Sequence, residues 1–226
     1  MSITFVMVEP ARAANVGAAA RAIKTMGFTQ LVIVNSEAHK EEEARWVAHG
    51  AHDILDNIVC YPDVESLRSQ FDLVIGTTAR ERGSARTYLS PSELSGQLEK
   101  QATSVQRIAL LFGREASGLS NEELSLCDLY SYVPLVADYP SLNLGQAVMV
   151  YSYALSDVNR QIGLTHSEAN IRSLAALREK AGNLLDNVAE GDTKLKEWLI
   201  EGLNRLSDRD IRMAHQLFND IQRKLD

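Results

Sequence analysis

Three short runs hold the residue types that could do chemistry. The first is Asn15-Val16-Gly17-Ala18-Ala19-Ala20-Arg21, which follows the apolar stretch Ile3–Val8. Asn15 can donate and accept hydrogen bonds, and Arg21 presents a planar fork of donors suited to phosphate. The second is Phe112-Gly113-Arg114-Glu115-Ala116-Ser117-Gly118-Leu119. Gly113, directly after an apolar stretch, lets a ligand come close to the backbone, and Glu115 offers a carboxylate to hydroxyl or amine donors. The third lies within Tyr132–Val150, where an apolar stretch breaks at Asp138-Tyr139-Pro140 and resumes at Ser141-Leu142-Asn143. Ser141 suits a helix N-cap. A strand, a sharp loop and an open helix start expose unpaired backbone groups that can hold a small polar ligand. Taken singly, each run has a plainer reading: a surface arginine, a connector, an ordinary strand-to-helix turn.

Other chemistries find less support. A dinucleotide-binding turn carries three glycines as Gly-x-Gly-x-x-Gly, and the first run has only Gly17. The second run lacks the Gly-Lys-Ser/Thr of a phosphate-binding loop. His49, His52 and Asp53 put three candidate metal ligands within five residues, but His39, His166 and His215 complete no set, so a structural or surface role is expected and no metal. No Ser/His/Asp or Cys/His nucleophile pattern stands out. Cys60 and Cys127 read as buried small apolar groups in a reducing compartment.

The elements that must position these runs alternate. Strands are expected at Ile3–Val8, Leu31–Val34, Ile58–Tyr61, Leu73–Gly76, Arg107–Phe112 and Tyr132–Val136. Between them fall helices from Asn15 to Gly27, over Glu41–Val47 and His49–Leu55, over Asp63–Ser69, after a Ser90 cap with Pro91 at the first position, after a Ser120–Glu123 capping box, and from Ser141. Such alternation over about 150 residues predicts a mostly parallel sheet covered on both faces. Ligands then sit beyond the carboxyl ends of the strands, where Asn15, Thr77, Gly113 and Ser141 all fall.

A boundary is expected near Arg160–Thr165, dividing the chain into 1–163 and an all-helical 164–226. Capping patterns at Thr165/Glu168 and Ser207/Asp210 begin two of its helices. Three apolar stripes run through it: Ile171, Leu174, Leu177, Ala181, Leu184 and Val188; Leu195, Trp198, Leu199, Gly202, Leu203 and Leu206; and Ile211, Ala214, Phe218, Ile221 and Leu225. Each needs a covering surface.

The formal charge of −7 argues against a protein that coats nucleic acid generally, without excluding a local basic site. Residues 164–226 hold 10 Lys+Arg against 11 Asp+Glu, so the tail is no basic clamp. Arg12, Arg21, Lys24, Arg80, Arg82 and Arg86 can gather near the expected ligand edge, or remain solvated surface charge. No apolar run reaches membrane-spanning length and Met1–Val8 has no leader pattern, which predicts a cytoplasmic protein.

In combination the three runs resemble the three motifs of the SPOUT RNA methyltransferases of the SpoU/TrmH, ribose-2′-O type. Asn-x-Gly-x-x-x-Arg appears as Asn15, Gly17 and Arg21. Phe-Gly-x-Glu-x-x-Gly appears as Phe112, Gly113, Glu115 and Gly118. Ser-Leu-Asn appears as Ser141, Leu142 and Asn143. The resemblance covers residues 3–157 and is closest to the TrmJ-like group, including LasT-like proteins, helped by the runs Arg21–Phe28 and Thr77–Arg82. Beyond Gly163 the chain looks less like TrmJ, which leaves the RNA substrate open.

The resemblance implies an α/β parallel-sheet SPOUT domain with a C-terminal trefoil knot, extended by a helical appendage. It implies bent S-adenosylmethionine held by Thr77, Thr78, Ala79, Gly113, Glu115, Leu135, Pro140, Ser141, Leu142 and Asn143. It implies RNA contacts from Arg12, Asn15, Arg80 and Arg82, with Arg21 catalytic and Ser141 and Asn143 fixing geometry. The partners it implies are an RNA, either tRNA (for TrmJ-like proteins, its anticodon loop) or rRNA, and a second copy of the chain that shares the active site. A non-catalytic RNA-binding relative is the alternative. A Rossmann-like metabolic enzyme is disfavoured by the missing glycines.

Overall fold

Strand β1 (Ser2–Val8) shows how the sheet is made. Its side chains alternate between two buried faces: Ile3, Phe5 and Met7 enter one apolar cluster, Val6 and Val8 the other. A period of two with no solvent face is what a sheet covered on both sides requires. The structure is a computed structural model that describes residues 1–81, 86–101, 105–136, 141–161, 168–188 and 192–225. Six more strands follow: β2 (Leu31–Val34), β3 (Val59–Tyr61), β4 (Leu73–Thr78), β5 (Tyr88–Leu89), β6 (Arg107–Phe112) and β7 (Leu129–Tyr132). They form one sheet in the order β3-β2-β1-β6-β4-β7-β5, and every recorded pairing is parallel. All carboxyl ends therefore share one rim.

Helices cover both faces: α1 (Ala13–Thr25), α2 (Glu42–Val47), α3 (His52–Asp56), α4 (Val64–Arg68), α5 (Pro91–Lys100), α6 (Asn121–Ser125) and α7 (Leu144–Gln161). A Cβ on Gly17 would lie 2.2 Å from the Ala44 carbonyl oxygen, so α1 and α2 cross backbone to backbone at a position only glycine permits. Ser90 and Ser120 both form the expected capping boxes, with Glu93 and Glu123.

Three expectations are corrected, and one strand is added. The last strand is Leu129–Tyr132, not Tyr132–Val136. Polar Ser131 is tolerated in it because its hydroxyl donates to the Leu89 carbonyl, while Val136 lies fully exposed. β5, only two residues long, has no periodicity to read. Helix α7 starts at Leu144 and is capped by Asn143 instead of Ser141. Cys60 is exposed on the short strand β3, whereas Cys127 is buried. The turn-forming Asp138-Tyr139-Pro140 and the cap residue Thr165 lie outside the described residues.

Three further helices complete the chain: α8 (Glu168–Val188), α9 (Thr193–Leu203) and α10 (Asp208–Leu225). Leu174, Leu177, Ala181, Leu203 and Ile211 join the same apolar cluster as Phe5 and Phe112. Arg178 donates to the Asp72 carbonyl at 2.7 Å and to Asn204 Oδ1 at 2.6 Å, and Asn204 Nδ2 donates to the Asp128 carbonyl at 3.2 Å. Asp72 and Asp128 precede β4 and β7, so these helices are fastened at the amino rim, opposite the expected ligand edge. Leu195 and Trp198 of the second stripe stay exposed. Among the described residues no helix is long and apolar enough to cross a membrane.

Candidate active site

The three runs meet at the carboxyl rim. Asn15 occupies the first turn of α1, Glu115 the loop after β6, and Asn143 the entry to α7. Glu115 Oε2 accepts the Ala11 N–H at 3.0 Å; its Oε1 accepts the Arg12 N–H at 3.2 Å and Asn15 Nδ2 at 2.9 Å. Asn15 Oδ1 in turn accepts Asn143 Nδ2 at 3.0 Å. Asn143 Oδ1 accepts the Gly145 N–H at 2.9 Å, and its own N–H donates to Gln146 Oε1 at 3.2 Å, a reciprocal cap on α7.

The direction of this relay follows from its first member. An ionised carboxylate only accepts, so Asn15 must turn its NH2 toward Glu115 and its oxygen toward Asn143. Asn143 must then give its NH2 to Asn15, which leaves its oxygen for the helix N-terminus. Burial works to raise the Glu115 pKa, but the hydrogen bonds from Ala11, Asn15 and Arg12 prevail and hold it below the ordinary value. Gly145 is needed at the crossing: a Cβ there would lie 2.9 Å from the Ala18 Cβ.

The loop after β6 closes on itself. Arg114 and Gly118 exchange backbone hydrogen bonds at 3.2 and 2.8 Å, and a Cβ on Gly113 would lie 2.1 Å from backbone atoms of Gly118 and Leu119. Arg114 fixes the loop to its surroundings. Its guanidinium reaches Glu9 at 2.7 and 2.8 Å and Glu123 at 2.9 and 3.0 Å, joining the end of β1 to the start of α6. Its hydrogen bonds, with that of Asn35, pull the Glu9 carboxyl down to about 2. At the end of β4 the Thr77 hydroxyl donates to the Leu111 carbonyl at 2.7 Å, and that of Thr78 to the Arg80 carbonyl at 2.8 Å, which sets the turn that carries exposed Ala79 and Arg80.

Residues 2–153 match the model of the SpoU rRNA Methylase family. The chain belongs to that family. Residues 172–225 match a second model, described as the C-terminal domain of the tRNA/rRNA methyltransferase LasT. The chain is similar to an uncharacterized tRNA/rRNA methyltransferase LasT of Escherichia coli, 49% identical over 100% of this chain and 99% of the relative. It is 34% identical to the tRNA (cytidine/uridine-2′-O-)-methyltransferase TrmJ of Sodalis glossinidius over 84% of this chain and 75% of that one. Among solved structures, a probable methylase family protein of Haemophilus influenzae matches with a TM-score of 0.69 at 29% identity, over 99% of this chain and 97% of the other.

At this rim the expected residues divide by what they touch. Asn15, Glu115 and Asn143 bond mainly to one another and to backbone, while Gly113, Thr77 and Thr78 shape the two loops beside them. Arg12, Arg21 and Arg80 are exposed, and Arg21, two turns along α1 from Asn15, has no side-chain partner among the described residues. Leu135, Ser141 and Leu142 are half-buried, flanking 137–140. Pro140 and Arg82 lie outside the described residues.

The histidine run does something else. Asp53 pairs with Lys24 at 2.5 Å and His52 Nε2 meets the Arg45 carbonyl at 3.0 Å; among the described residues no cluster of three metal-ligating side chains exists. Sequence reasoning missed Glu9, Glu123 as an Arg114 partner, and Gln146. The Asn143-x-x-Gln146 capping signature was available to find the last of these.

Proposed function

We infer that this chain is an S-adenosylmethionine-dependent RNA ribose-2′-O methyltransferase whose substrate is tRNA. The observation that carries the reading is the Glu115–Asn15–Asn143 relay, which brings all three runs to one rim, while Arg21, two turns along α1, has no side-chain partner among the described residues. The tRNA assignment follows the activity for which the TrmJ relatives are named.

The residues present fit the cofactor. Leu135 and Leu142 offer half-buried apolar surface for an adenine, the Ser141 hydroxyl has no partner among the described residues, and the Thr78–Arg80 turn presents backbone groups. Thr77, Thr78, Ala79, Gly113, Leu135, Pro140, Ser141 and Leu142 would hold it; Glu115 and Asn143 would act by fixing the walls. Bound S-adenosylmethionine supplies an electrophilic methyl group. Arg21 would orient the ribose hydroxyl or its neighbouring phosphate and stabilise the negative charge that develops on that oxygen as its proton passes to solvent. An arginine side chain is too weakly acidic to serve readily as the base. Arg12, Arg80 and Arg82 take phosphates of the RNA.

The reading extends to architecture. β7 is last in the chain yet lies between β4 and β5, both earlier, and an inserted last strand supports a trefoil knot. Exposed Met149 and Tyr153 on α7, the helix that packs on α1, support a homodimer sharing the site. Residues 1–163 form the methyltransferase domain and 164–226 a helical extension, and the protein works in the cytoplasm, where its RNA is.

Methyl transfer from labelled S-adenosylmethionine into size-fractionated RNA from cells lacking the gene tests the reading. Label in 2′-O-methylated nucleosides of the tRNA fraction is expected. Label confined to rRNA would move the substrate, and cofactor binding without any label would favour a non-catalytic RNA-binding relative.

A further inference from the structure

The C-terminal helices leave a cleft that the methyl-transfer site does not use. It is a cavity of about 410 Å³ between β7 and α9, with Arg86, Tyr130 and Asp128 on one wall and Lys194 and Trp198 on the other. Its walls are held together by specific bonds. The Thr87 N–H donates to Glu201 at 3.1 Å, Arg205 donates to the Thr87 carbonyl at 3.1 Å, and Arg205 pairs with Glu201 at 2.8 Å. The residue next to Arg86 is thus fastened to α9. The Arg86 guanidinium lies 4.8 Å from the centre of the Tyr130 ring, which keeps it at the cleft wall.

Two groups in this cleft lack a purpose within the chain. Trp198 is 65% exposed at the uncovered end of an α9 stripe whose Leu199, Leu203 and Leu206 pack into the core. Lys194 is exposed and has no ion-pair partner among the described residues, whereas Arg68, also on the wall, is engaged by Asp128 and Lys196 by Asp186. An exposed indole flanked by two cations in a nucleotide-sized hollow is the arrangement that holds an unpaired base: every base has a π face to stack, and the cations take the phosphates on either side.

We propose that the cleft between β7 and α9 is a second RNA-binding subsite, in which Trp198 stacks an unpaired nucleotide and Arg86 and Lys194 hold its flanking phosphates. This rests on the reading of the chain as an RNA methyltransferase. It gives the helical extension a task despite its near-neutral charge, because the affinity comes from stacking and two placed cations. Glu197 and Asp128 on the walls limit the cleft to one or two phosphates and argue against a duplex.

The test uses the full chain. Trp46→Phe leaves Trp198 as the sole tryptophan. Titration of that variant with unfractionated tRNA, and with a short unpaired oligoribonucleotide, is expected to quench its fluorescence to saturation. Trp198→Ala should weaken tRNA binding and raise the KM for tRNA by about tenfold, with S-adenosylmethionine affinity kept, and Trp198→Phe should recover most of the loss. Absence of quenching, or wild-type tRNA affinity in Trp198→Ala, would overturn the proposal. The two readings fail separately: quenching without methyl transfer removes the enzymatic assignment and keeps the subsite, while methyl transfer indifferent to Trp198 does the reverse.

Discussion

The two rims of the parallel sheet are finished in opposite ways. At the amino rim, charged groups are tied to backbone. The Asp128 carboxylate accepts the Val74 N–H at 2.7 Å and Arg68 at 2.9 Å, Asp72 accepts the N–H groups of Gln106 and Arg107, and half-buried Arg178 donates to Asp72 and Asn204. At the carboxyl rim the supporting residues are just as engaged, but beside them Arg12, Arg80 and Ser141, and further along α1 Arg21, are left without side-chain partners among the described residues. A bond between two parts of the chain stabilises the fold. A donor held in place with nothing to bind is what a ligand site needs. The difference therefore separates residues that build the molecule from residues available to act.

Substitutions at each rim should break this contrast in different observables. The largest effect is expected at Gly113. Alanine there would drive a methyl into the backbone of Gly118 and Leu119, and opening the loop at a cost of about 3 kcal/mol would lower S-adenosylmethionine affinity roughly 100-fold. Isothermal titration reads this directly. At the opposite rim, Arg178→Ala leaves the Asp72 carbonyl and Asn204 buried without their donor and should cost about 2–4 kcal/mol in urea unfolding. The activity per folded molecule should stay near wild type, because no contact of Arg178 reaches the carboxyl rim.

Asn15→Ala is intermediate in kind. It cuts the relay at its centre, and should cost about 1–2 kcal/mol of stability while weakening cofactor binding several-fold, since Asn143 loses its acceptor. Asn15→Asp should be worse than alanine in binding, because it places a second acceptor against Glu115.

The smallest effect concerns acid stability. Because Arg114 pulls the Glu9 carboxyl from 4.5 to about 2, the pair stabilises the fold fully above pH 4.5 and loses that contribution as pH falls toward about 2. Glu9→Gln should flatten the stability profile in that window and leave it unchanged in shape near neutrality. Urea melts at a series of pH values would show it.

Particular residues explain how much of this was legible in sequence. Leu31–Val34 was readable to the residue because it is an unbroken apolar run buried on two faces, and Arg107–Phe112 because five such residues follow one exposed arginine. The Ser90 and Ser120 caps were readable because a capping box is a local pattern. β7 was misplaced because its polar Ser131 is satisfied by distant partners, Leu89 and Tyr151, while Val133–Val136 has the apolar composition without a strand's pairing. The motif residues could be listed from sequence, but their division of labour could not. That Glu115 faces Asn15 and that Arg114 reaches back to Glu9 are contacts between residues 100 and 105 positions apart. No local periodicity reports such pairs. Glu9 and Asn35, both at positive φ, were equally invisible.

Arg21 is available for chemistry because the relay at the carboxyl rim is complete without it. Methyl transfer and S-adenosylmethionine affinity measured together on Arg21→Ala test this most directly. The account predicts that transfer to tRNA falls by about 100-fold or more, while cofactor affinity and the unfolding midpoint stay at wild-type values. Parallel loss of transfer and cofactor affinity, or transfer that survives the substitution, would contradict it.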